Sequence, residues 1–354
     1  MQFSPPEIDA KAKALHDSLG MMTTANGLCA FTMERCQALA PMVLEIEALK
    51  RERNAIVLAH TYLSPEVQKT VADFAGDSYG LSLEAQRTDA EVIVFAAVDF
   101  MAETAKLLNP EKTVLAPNKE GGCTLADSIT GAEVRKLREQ HPEHTFICYI
   151  NTTADVKAAC DVAVTSSNVY GIVEAIDNDK LFFLPDRLMA MNIKAHLAER
   201  GVEKELLFTS GSCYVHEEYA GEGIPMVREN FPGVEVLAHP ECKPEVISKA
   251  DYVGSTGQML NHVERSAADH FLVLTECGLV DKLRDSHPDK EFVGSCQLCK
   301  YMKANSLADV LAVLRDPTQR QVTLDPAVVD GAKACIEAMF SYTDKARAAG
   351  LITP

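Results

Sequence analysis

Short runs of apolar residues recur along the whole chain, and each run ends in polar residues that lead into a helical pattern. The runs are rich in Val, Ile, Leu and Phe, as in "NAIVLAH", "AEVIVFAAV", "HTFICYI", "KLFFLPD" and "HFLVLTE". Apolar runs of this length are typical of parallel strands that are buried on both faces. Their alternation with helical segments predicts an α/β fold with parallel sheets.

Three segments of this pattern can be aligned with one another, namely residues 56–78, 146–167 and 235–256. His60, Tyr149 and His239 take the same place in them, at the end of the first apolar run, and lie 89 and 90 residues apart. An aspartate follows 12 or 13 residues later in each segment: Asp73, Asp161 and Asp251. The agreement indicates that the chain contains an internal repeat.

Each repeat continues with further apolar runs and ends near a cysteine, which is Cys123, Cys213 and then either Cys296 or Cys299. We interpret the pattern as a triplication with a period of about 90 residues and about four strands per unit. It predicts three homologous, three-layer αβα domains with parallel sheets and pseudo-threefold symmetry. The expected boundaries are a helical segment at 1–53, repeats at 54–143, 144–233 and 234–319, and a helical segment at 320–354.

Polar residues gather at the predicted carboxyl ends of the strands, which is where parallel sheets bind their ligands. If the three units face one another, these side chains meet in one cavity. The residues are His60, Tyr62, Ser78, Cys123, Tyr149, Asn151, Ser166, Ser167, Cys213, His216, His239, Glu241, Thr256 and Cys299.

One cysteine per repeat brings three thiols to a shared axis, a set that suits an iron–sulfur cluster with one iron left open. A structural zinc ion would normally take four protein ligands. Cys296 and Cys299 are three positions apart, so spacing alone also allows a thiol redox pair or a chance neighbour. The glycines of "GGC" and "GSC" permit close approach of the backbone.

The other candidate residues have a structural interpretation beside the functional one. The "TSSN" and "GSTG" stretches lie where helices should begin, so their hydroxyls either bind phosphate or carboxylate, or cap the helices. His60 and His239 are either core histidines or site residues, and their matching positions favour a site. Glu241 is either a base whose pKa burial has raised or a solvated carboxylate at a helix start.

Composition narrows the class of protein. The 354 residues are 47% hydrophobic and 24% charged, with a net charge of −17. This is an ordinary globular composition, and an acidic chain is a poor partner for nucleic acid. We find no signal-peptide pattern and no apolar run of membrane-spanning length, so we expect a cytoplasmic protein with no membrane or nucleic-acid partner. Eleven cysteines in such a chain favour reduced thiols over a disulfide scaffold.

At this point several stretches together resemble the quinolinate synthase family. They run in family order from about residue 55 to 312, and are "AHTYLSPEVQ…ADFAGDS", "GGCTLADS", "YINTTADVKAACDVAVTSSN", "PDRLMAMN", "GSCYVHEEY", "HPECKPEVISKADYVGSTGQM" and "CKYMKANSLADVL". The resemblance implies an enzyme that condenses iminoaspartate with dihydroxyacetone phosphate to give quinolinate in NAD biosynthesis. It also implies a [4Fe–4S] cluster at the junction of three α/β domains, and L-aspartate oxidase as a functional partner.

The resemblance also assigns residues. The cluster ligands are Cys123, Cys213 and Cys299, the last because "CKYMK" matches the stretch that follows the family's third cysteine. The implied substrate residues are His60, Tyr62, Ser78, Tyr149, Asn151, Ser166, His216, His239, Glu241 and Thr256, and we add Ser167 from the repeat. Among them we expect Glu241 to accept a proton and Tyr62 to transfer one. From their aligned positions in the repeats we expect His60, Tyr149 and His239 to surround the open iron.

Three positions depart from the family pattern: Leu63 replaces a glutamine, Lys300 a proline and Tyr219 a phenylalanine. Two other functions compete with the enzyme. A three-cysteine cluster could serve a redox or iron sensor that has no catalytic activity. A zinc-dependent hydrolase could use the histidines and Glu241, although the chain contains no HExxH motif.

Overall fold

Three parallel sheets of four strands form the framework. A computed structural model of the chain describes residues 1–20, 22, 30–294 and 296–352. In every sheet the second strand of the repeat lies at one edge, followed by the first, the third and the fourth. The strands are β1 Ala55–His60, β2 Phe74–Gly76, β3 Val92–Ala96, β4 Thr113–Leu115, β5 Thr145–Tyr149, β6 Val162–Val164, β7 Lys180–Leu184, β8 Glu205–Phe208, β9 Glu235–Ala238, β10 Tyr252–Val253, β11 His270–Leu274 and β12 Glu291–Val293. The α/β prediction of three four-stranded parallel units is confirmed.

Helices connect the strands and cover the sheets. They are α1 Pro5–Leu19, α2 Met33–Glu52, α3 Pro65–Thr70, α4 Ser78–Arg87, α5 Asp99–Leu108, α6 Gly131–Gln140, α7 Ala154–Ala158, α8 Val169–Ala175, α9 Arg187–Glu199, α10 Tyr214–Glu217, α11 Ile224–Asn230, α12 Pro244–Ile247, α13 Thr256–Arg265, α14 Cys277–Ser286, α15 Lys300–Lys303, α16 Leu307–Arg315 and α17 Pro326–Ala348. Short 3₁₀ turns occupy Ala126–Ser128 and Gly221–Gly223. Among the helices of the described residues, none combines the length and the apolar character needed to cross a membrane.

The terminal helices pack on different repeats. Helices α1 and α2 and the late helix α16 join the core of the first repeat, where Val310 and Leu314 of α16 are fully buried. Helix α17 packs on α7, α8 and β6 and so completes the core of the second repeat. The third sheet keeps two smaller cores, one on each face. The last helix of the third repeat, α16, therefore packs on the first repeat.

The repeated aspartate closes the amino-terminal end of each sheet. Its carboxylate accepts the backbone N–H of a first-strand residue, and its own N–H returns to the carbonyl of that residue. The pairs are Val57 with Asp73, Phe146 with Asp161 and Val236 with Asp251, at 2.7–2.9 Å throughout. A cation of the preceding helix lies beside each carboxylate: Lys50, Arg138 and Arg228. These aspartates are therefore structural, and they hold the first two strands in register.

Loss of this clamp should loosen the strand without disturbing the opposite end of the sheet. In Asp161→Ala the Phe146 N–H loses its acceptor, at a cost of about 1 kcal/mol. We expect amide exchange in the peptide containing β5 to become roughly fivefold faster, measured by hydrogen–deuterium exchange. Equal exchange in Asp161→Ala and in the exposed control Glu139→Gln would contradict this role.

Candidate active site

The carboxyl ends of the first strands face a single cavity of about 40 Å³. His60 ends β1, Tyr149 ends β5 and His239 directly follows β9. The cavity walls contain many of the residues expected from the sequence, namely His60, Tyr62, Ser78, Tyr149, Asn151, Ser166, His239, Glu241 and Thr256. All three repeats contribute to this list, so residues distant in the sequence form one wall.

Five expected residues are absent from this cavity wall, namely Ser167, His216 and the three cysteines Cys123, Cys213 and Cys299. Ser167 lines a second cavity of about 440 Å³, which shares Asp77 with the first. The ring of His216 contacts the carboxylate of Glu241. The walls also contain residues that the sequence analysis missed: Asp77, Phe100, Met101 and Met302. Asp77 caps α4 and is the type of residue preferred there, so the start of that helix could have identified it. No local pattern indicates the other three.

The carboxylate of Glu241 is the central charged group. It is 3% exposed. The hydroxyl of Tyr149 donates to Oε1 at 2.5 Å, and Nδ1 of His216 lies 2.9 Å from Oε2. Burial acts to raise the pKa of Glu241, but His216, His239 and these hydrogen bonds together hold that pKa below its ordinary value. Glu241 is therefore ionised and surrounded by donors. Both alternatives from the sequence are wrong for this residue, because the carboxylate is not solvated and its pKa is lowered, not raised.

A chain of hydrogen bonds extends from Glu241 to the first repeat. Nε2 of His216 lies 2.9 Å from Oγ1 of Thr275, which lies 2.7 Å from the hydroxyl of Tyr62. Burial raises the pKa of Tyr62 and of Tyr149 well above the ordinary value, so both are neutral phenols. Thr275 was not expected from the sequence, because only the packing of repeats shows that it links Tyr62 to His216.

The two strand-end histidines have the same local geometry. The N–H of Tyr62 donates to Nδ1 of His60 at 3.1 Å, and the N–H of Glu241 points to Nδ1 of His239 at 3.4 Å. Burial lowers the pKa of each imidazole to about 3. Both rings are therefore neutral, and since Nδ1 accepts a hydrogen bond, the proton lies on Nε2. Each ring can donate to an acidic or carbonyl oxygen.

Helix starts from three repeats meet at the side of the cavity. Ser78 and Thr256 are the first residues of α4 and α13, and Ser166 precedes α8. Asp77 and Ser255 cap the first two helices, and the hydroxyl of Ser255 donates to Asp77 at 2.9 Å. Oγ1 of Thr256 is buried without a hydrogen-bond partner among the described residues. A buried hydroxyl with this vacancy is suited to bind an oxygen of a ligand.

The cysteine loops are fixed in the same way in all three repeats. The residue two positions before each cysteine accepts an N–H from the start of the helix after the third strand. The pairs are Asp99 with Gly121, Arg187 with Gly211, and Cys277 with Gln297, at 2.7–2.9 Å. A Cβ on Gly211 would come within 2.7 Å of the Pro185 carbonyl, so this close approach requires glycine. Equivalent loops therefore present Cys123, Cys213 and Cys299.

The surroundings of the three thiols bring the loops together. Backbone N–H groups lie near each sulfur, those of Leu125 and Ala126 near Cys123, that of His216 near Cys213, and those of Tyr301 and Met302 near Cys299. Cys213 and Cys299 are the cap residues of α10 and α15, without a side-chain cap hydrogen bond in the part of the chain that the structure describes. Tyr214 follows Cys213, and its hydroxyl accepts the N–H of Lys300 at 2.8 Å. The ring of Tyr301 lies against Gly122.

The pKa values of the three thiols indicate what is needed for them to ionise together. Burial raises the pKa of Cys123 to about 12, and Cys299 and Glu241 act in the same direction. Burial raises the pKa of Cys213 and of Cys299 as well. Thiolates here would need a compensating metal charge. Three sulfur donors on neighbouring loops, each with backbone N–H groups nearby, fit a cluster of iron and sulfide.

A different set of ligand atoms is also close enough to hold a single ion. Cys213, His216 and Glu241 offer ligand atoms within 4.8 Å of one another. Nδ1 of His216 lies 3.3 Å from the Cys213 sulfur. Thus Cys213 belongs to both possible sets, and the structure supports metal binding at this place in the fold.

The expectation of reduced cysteines is wrong for one pair, because Cys277 and Cys296 form a disulfide. The bond joins the start of α14 to the loop that carries Cys299. Cys296 is therefore paired with a residue that precedes it by 19 positions, and not with Cys299. The sequence spacing could not identify this pair, since α14 and β12 lie between the two cysteines.

The three departures from the family pattern have different surroundings. Leu63 is fully buried in the first core and does not line the cavity. The N–H of Lys300, which a proline would lack, donates to Tyr214. The hydroxyl of Tyr219 accepts the N–H of Gln297 at 3.0 Å and donates to the carbonyl of Thr275, so it ties the Cys299 loop to the end of β11. Two departures therefore add contacts around the third cysteine.

Three α/β domains with a shared, buried polar cavity and adjacent thiols define an enzyme-like metal-binding protein. A family model described as "NadA: Quinolinate synthetase A protein" matches residues 44–341. The chain is 43% identical over 329 residues to "Quinolinate synthase 2" of Mesorhizobium japonicum, covering 90% of this chain and all of that protein. It is 45% identical over 300 residues to "Quinolinate synthase" of Xylella fastidiosa, covering 84% and 87%.

A third relative, "Quinolinate synthase" of Caulobacter vibrioides, is 40% identical over 305 residues, covering 85% of this chain and 82% of its own. The matches span all three repeats. The chain belongs to the quinolinate synthase family, as its motifs suggested.

Proposed function

We propose that this protein condenses iminoaspartate with dihydroxyacetone phosphate to form quinolinate, with loss of phosphate and water, in NAD biosynthesis. The observation that carries the proposal is the single cavity to which all three repeats contribute titratable residues, next to three converging cysteine loops. An iminoaspartate supply must be close, because imines hydrolyse readily in water. L-aspartate oxidase is therefore the proposed functional partner, and the cytoplasm the proposed location.

In this proposal Cys123, Cys213 and Cys299 hold a [4Fe–4S] cluster. When bound, a cluster with three protein ligands supplies an open iron, which acts as a Lewis acid in the loss of a hydroxyl as water. The remaining chemistry belongs to the cavity residues. The cavity of about 40 Å³ is smaller than the two substrates together, so in this proposal it widens on binding towards the adjoining cavity of about 440 Å³, with which it shares Asp77.

The phosphate and the carboxylate or carbonyl oxygens of the substrates can be assigned to two different groups of hydrogen-bond donors. Hydroxyls of Ser78, Ser166 and Thr256 at the helix starts, with Ser167 beyond them, receive the phosphate. Neutral His60 and His239 donate from Nε2 to carboxylate or carbonyl oxygens, and Asn151 adds an amide. This arrangement holds both substrates without burying an extra cation, and leaves their reacting carbons near Glu241.

Proton transfer is assigned to Glu241 and the tyrosines. Ionised Glu241 accepts a proton from the condensing carbon, while Tyr149 and His216 hold its two oxygens in place. Tyr62 lies at the far end of the chain through Thr275 and His216, so a proton can be returned from the first repeat.

A second candidate function follows from the single-ion set of Cys213, His216 and Glu241, which resembles a three-ligand catalytic zinc site. That site would support a metal-dependent hydrolase. The two candidates differ in which variants abolish metal binding.

Metal analysis separates them. We expect anaerobically reconstituted protein to contain about four irons and about four sulfides per chain. Cys123→Ala, Cys213→Ala and Cys299→Ala should each lose the cluster, whereas the control Cys296→Ala should keep it. Zinc at one ion per chain without sulfide, retained in Cys123→Ala and lost in His216→Ala, would support the hydrolase instead.

The phosphate assignment predicts that Thr256→Val weakens use of dihydroxyacetone phosphate. The isosteric change removes one hydrogen bond to a charged oxygen, so KM for this substrate should rise on the order of tenfold. Stability of the free protein should not fall, because the buried hydroxyl has no partner among the described residues. Thr104→Val is the contrasting variant: the Thr104 hydroxyl donates to the Phe100 carbonyl at 3.0 Å, so this variant should lose stability. An unchanged KM in both Thr256→Val and Ser166→Ala would remove this subsite.

The role of Glu241 predicts a variant that binds but hardly reacts. Glu241→Gln should keep its iron and visible spectrum, yet lose on the order of a hundred- to ten-thousand-fold in kcat, measured as quinolinate formed. Glu229→Gln, on an exposed face, should behave as the wild type. Near-normal turnover in Glu241→Gln would exclude it as the base, and loss of its metal would favour the single-ion site.

A further inference from the structure

Glu276 is a fully buried carboxylate that lies outside the cavity walls. It follows β11, caps α14 and is 0% exposed. The N–H of Gly278 donates to Oε2 at 2.6 Å, and the N–H of Cys299 donates to Oε1 at 3.1 Å. Nζ of Lys303 lies 3.1 Å from Oε1. Three donors, one of them a cation, compensate its charge.

The equivalent positions in the other repeats do not reach their cysteines in this way. Val98 and Asp186 are the matching caps, of α5 and α9. Asp186 is one methylene shorter; its Oδ1 accepts the N–H of Met189, and its buried Oδ2 has no partner among the described residues. The N–H of Cys123 donates to Asp127 instead, at 3.2 Å. The direct contact between a cap and a candidate ligand is therefore a feature of the third repeat.

Lys303 extends this contact to the catalytic loop of the first repeat. Its ammonium group donates to the carbonyl of Tyr62 at 2.6 Å. The start of α14 also lies against this loop, since a Cβ on Gly278 would come within 2.7 Å of the Thr61 carbonyl. Glu276 and Lys303 thus lie between the backbone of Cys299 and the segment that carries His60 and Tyr62.

We propose that Glu276 and Lys303 are a positioning pair, which fixes the third cysteine ligand and places a compensated negative charge beside the metal centre. The inference rests on the proposed three-cysteine cluster. Two effects follow. Glu276 fixes the backbone of Cys299, so iron is retained. Its charge lowers the reduction potential of the cluster, and the charge of Lys303 opposes that effect, because nearby charges set cluster potentials.

Two substitutions at Glu276 separate the effect of its side-chain length from the effect of its charge. Glu276→Asp keeps the charge but cannot reach the Cys299 N–H, so iron loss to a chelator under anaerobic conditions should be about tenfold faster. Glu276→Gln keeps the reach and removes the charge, so the midpoint potential in a spectroscopic redox titration should rise. The matched control is Asp281→Asn, which removes an equal charge from the same helix near Lys303.

Lys303→Gln provides an independent test that does not alter the buried carboxylate, in case the Glu276 variants fail to fold. It removes the opposing cation, so the midpoint potential should fall, opposite to the change in Glu276→Gln. Potentials and iron-loss rates equal to those of Asp281→Asn in the folded variants, or a Lys303→Gln potential that does not fall, would overturn the inference. Wild-type protein without iron and sulfide would instead overturn the proposed cluster itself.

Discussion

A carboxylate that water hardly reaches must obtain its compensation from the protein, and Glu241 obtains it across a domain boundary. The residue belongs to the third repeat, but its hydrogen-bond partners Tyr149 and His216 belong to the second. Separation of the two repeats would leave the charge buried and unpaired, which is far costlier than the pair itself is stabilising. The same network continues to Tyr62, so the first repeat is held by it too. The polar groups of the site therefore keep the three units together as well as forming the cavity.

Triplication explains why so many side chains meet, and divergence explains why they do different things. Each repeat supplies a strand-end residue, a helix start and a cysteine loop at equivalent places. At the strand ends, the neutral imidazoles of His60 and His239 and the phenol of Tyr149 face the cavity. Tyr149 donates to Glu241. Only the third repeat has a glutamate two residues after its strand-end residue. The caps of the helices after the third strands are valine, aspartate and glutamate, and of these described residues only Glu276 accepts a hydrogen bond from its cysteine. A framework of three similar repeats thus surrounds a site in which each repeat has a different part.

Much of this architecture could be predicted from the sequence, because strands and helix starts depend on local patterns. The apolar runs predicted the strands, and the alignment of His60, Tyr149 and His239 predicted which residues would share a cavity. What could not be predicted depends on contacts between repeats. Thr275 enters the hydrogen-bond chain through His216 and Tyr62, each in a different repeat. Cys277 and Cys296 are distant in the sequence and come together through the packing of α14 and β12. Met302 reaches the cavity from a helix outside the aligned segments.

The return of α16 to the first repeat has a consequence for biogenesis. A ribosome delivers the first sheet early, yet the core of that sheet includes Met302, Leu307 and the buried face of α16, which are made much later. Units that are completed during synthesis normally fold from the amino terminus onward. Here the earliest unit keeps apolar surface exposed until most of the polypeptide has left the exit tunnel. Because Cys299 lies just before α16, the last cysteine loop and the first core are completed together, late in synthesis.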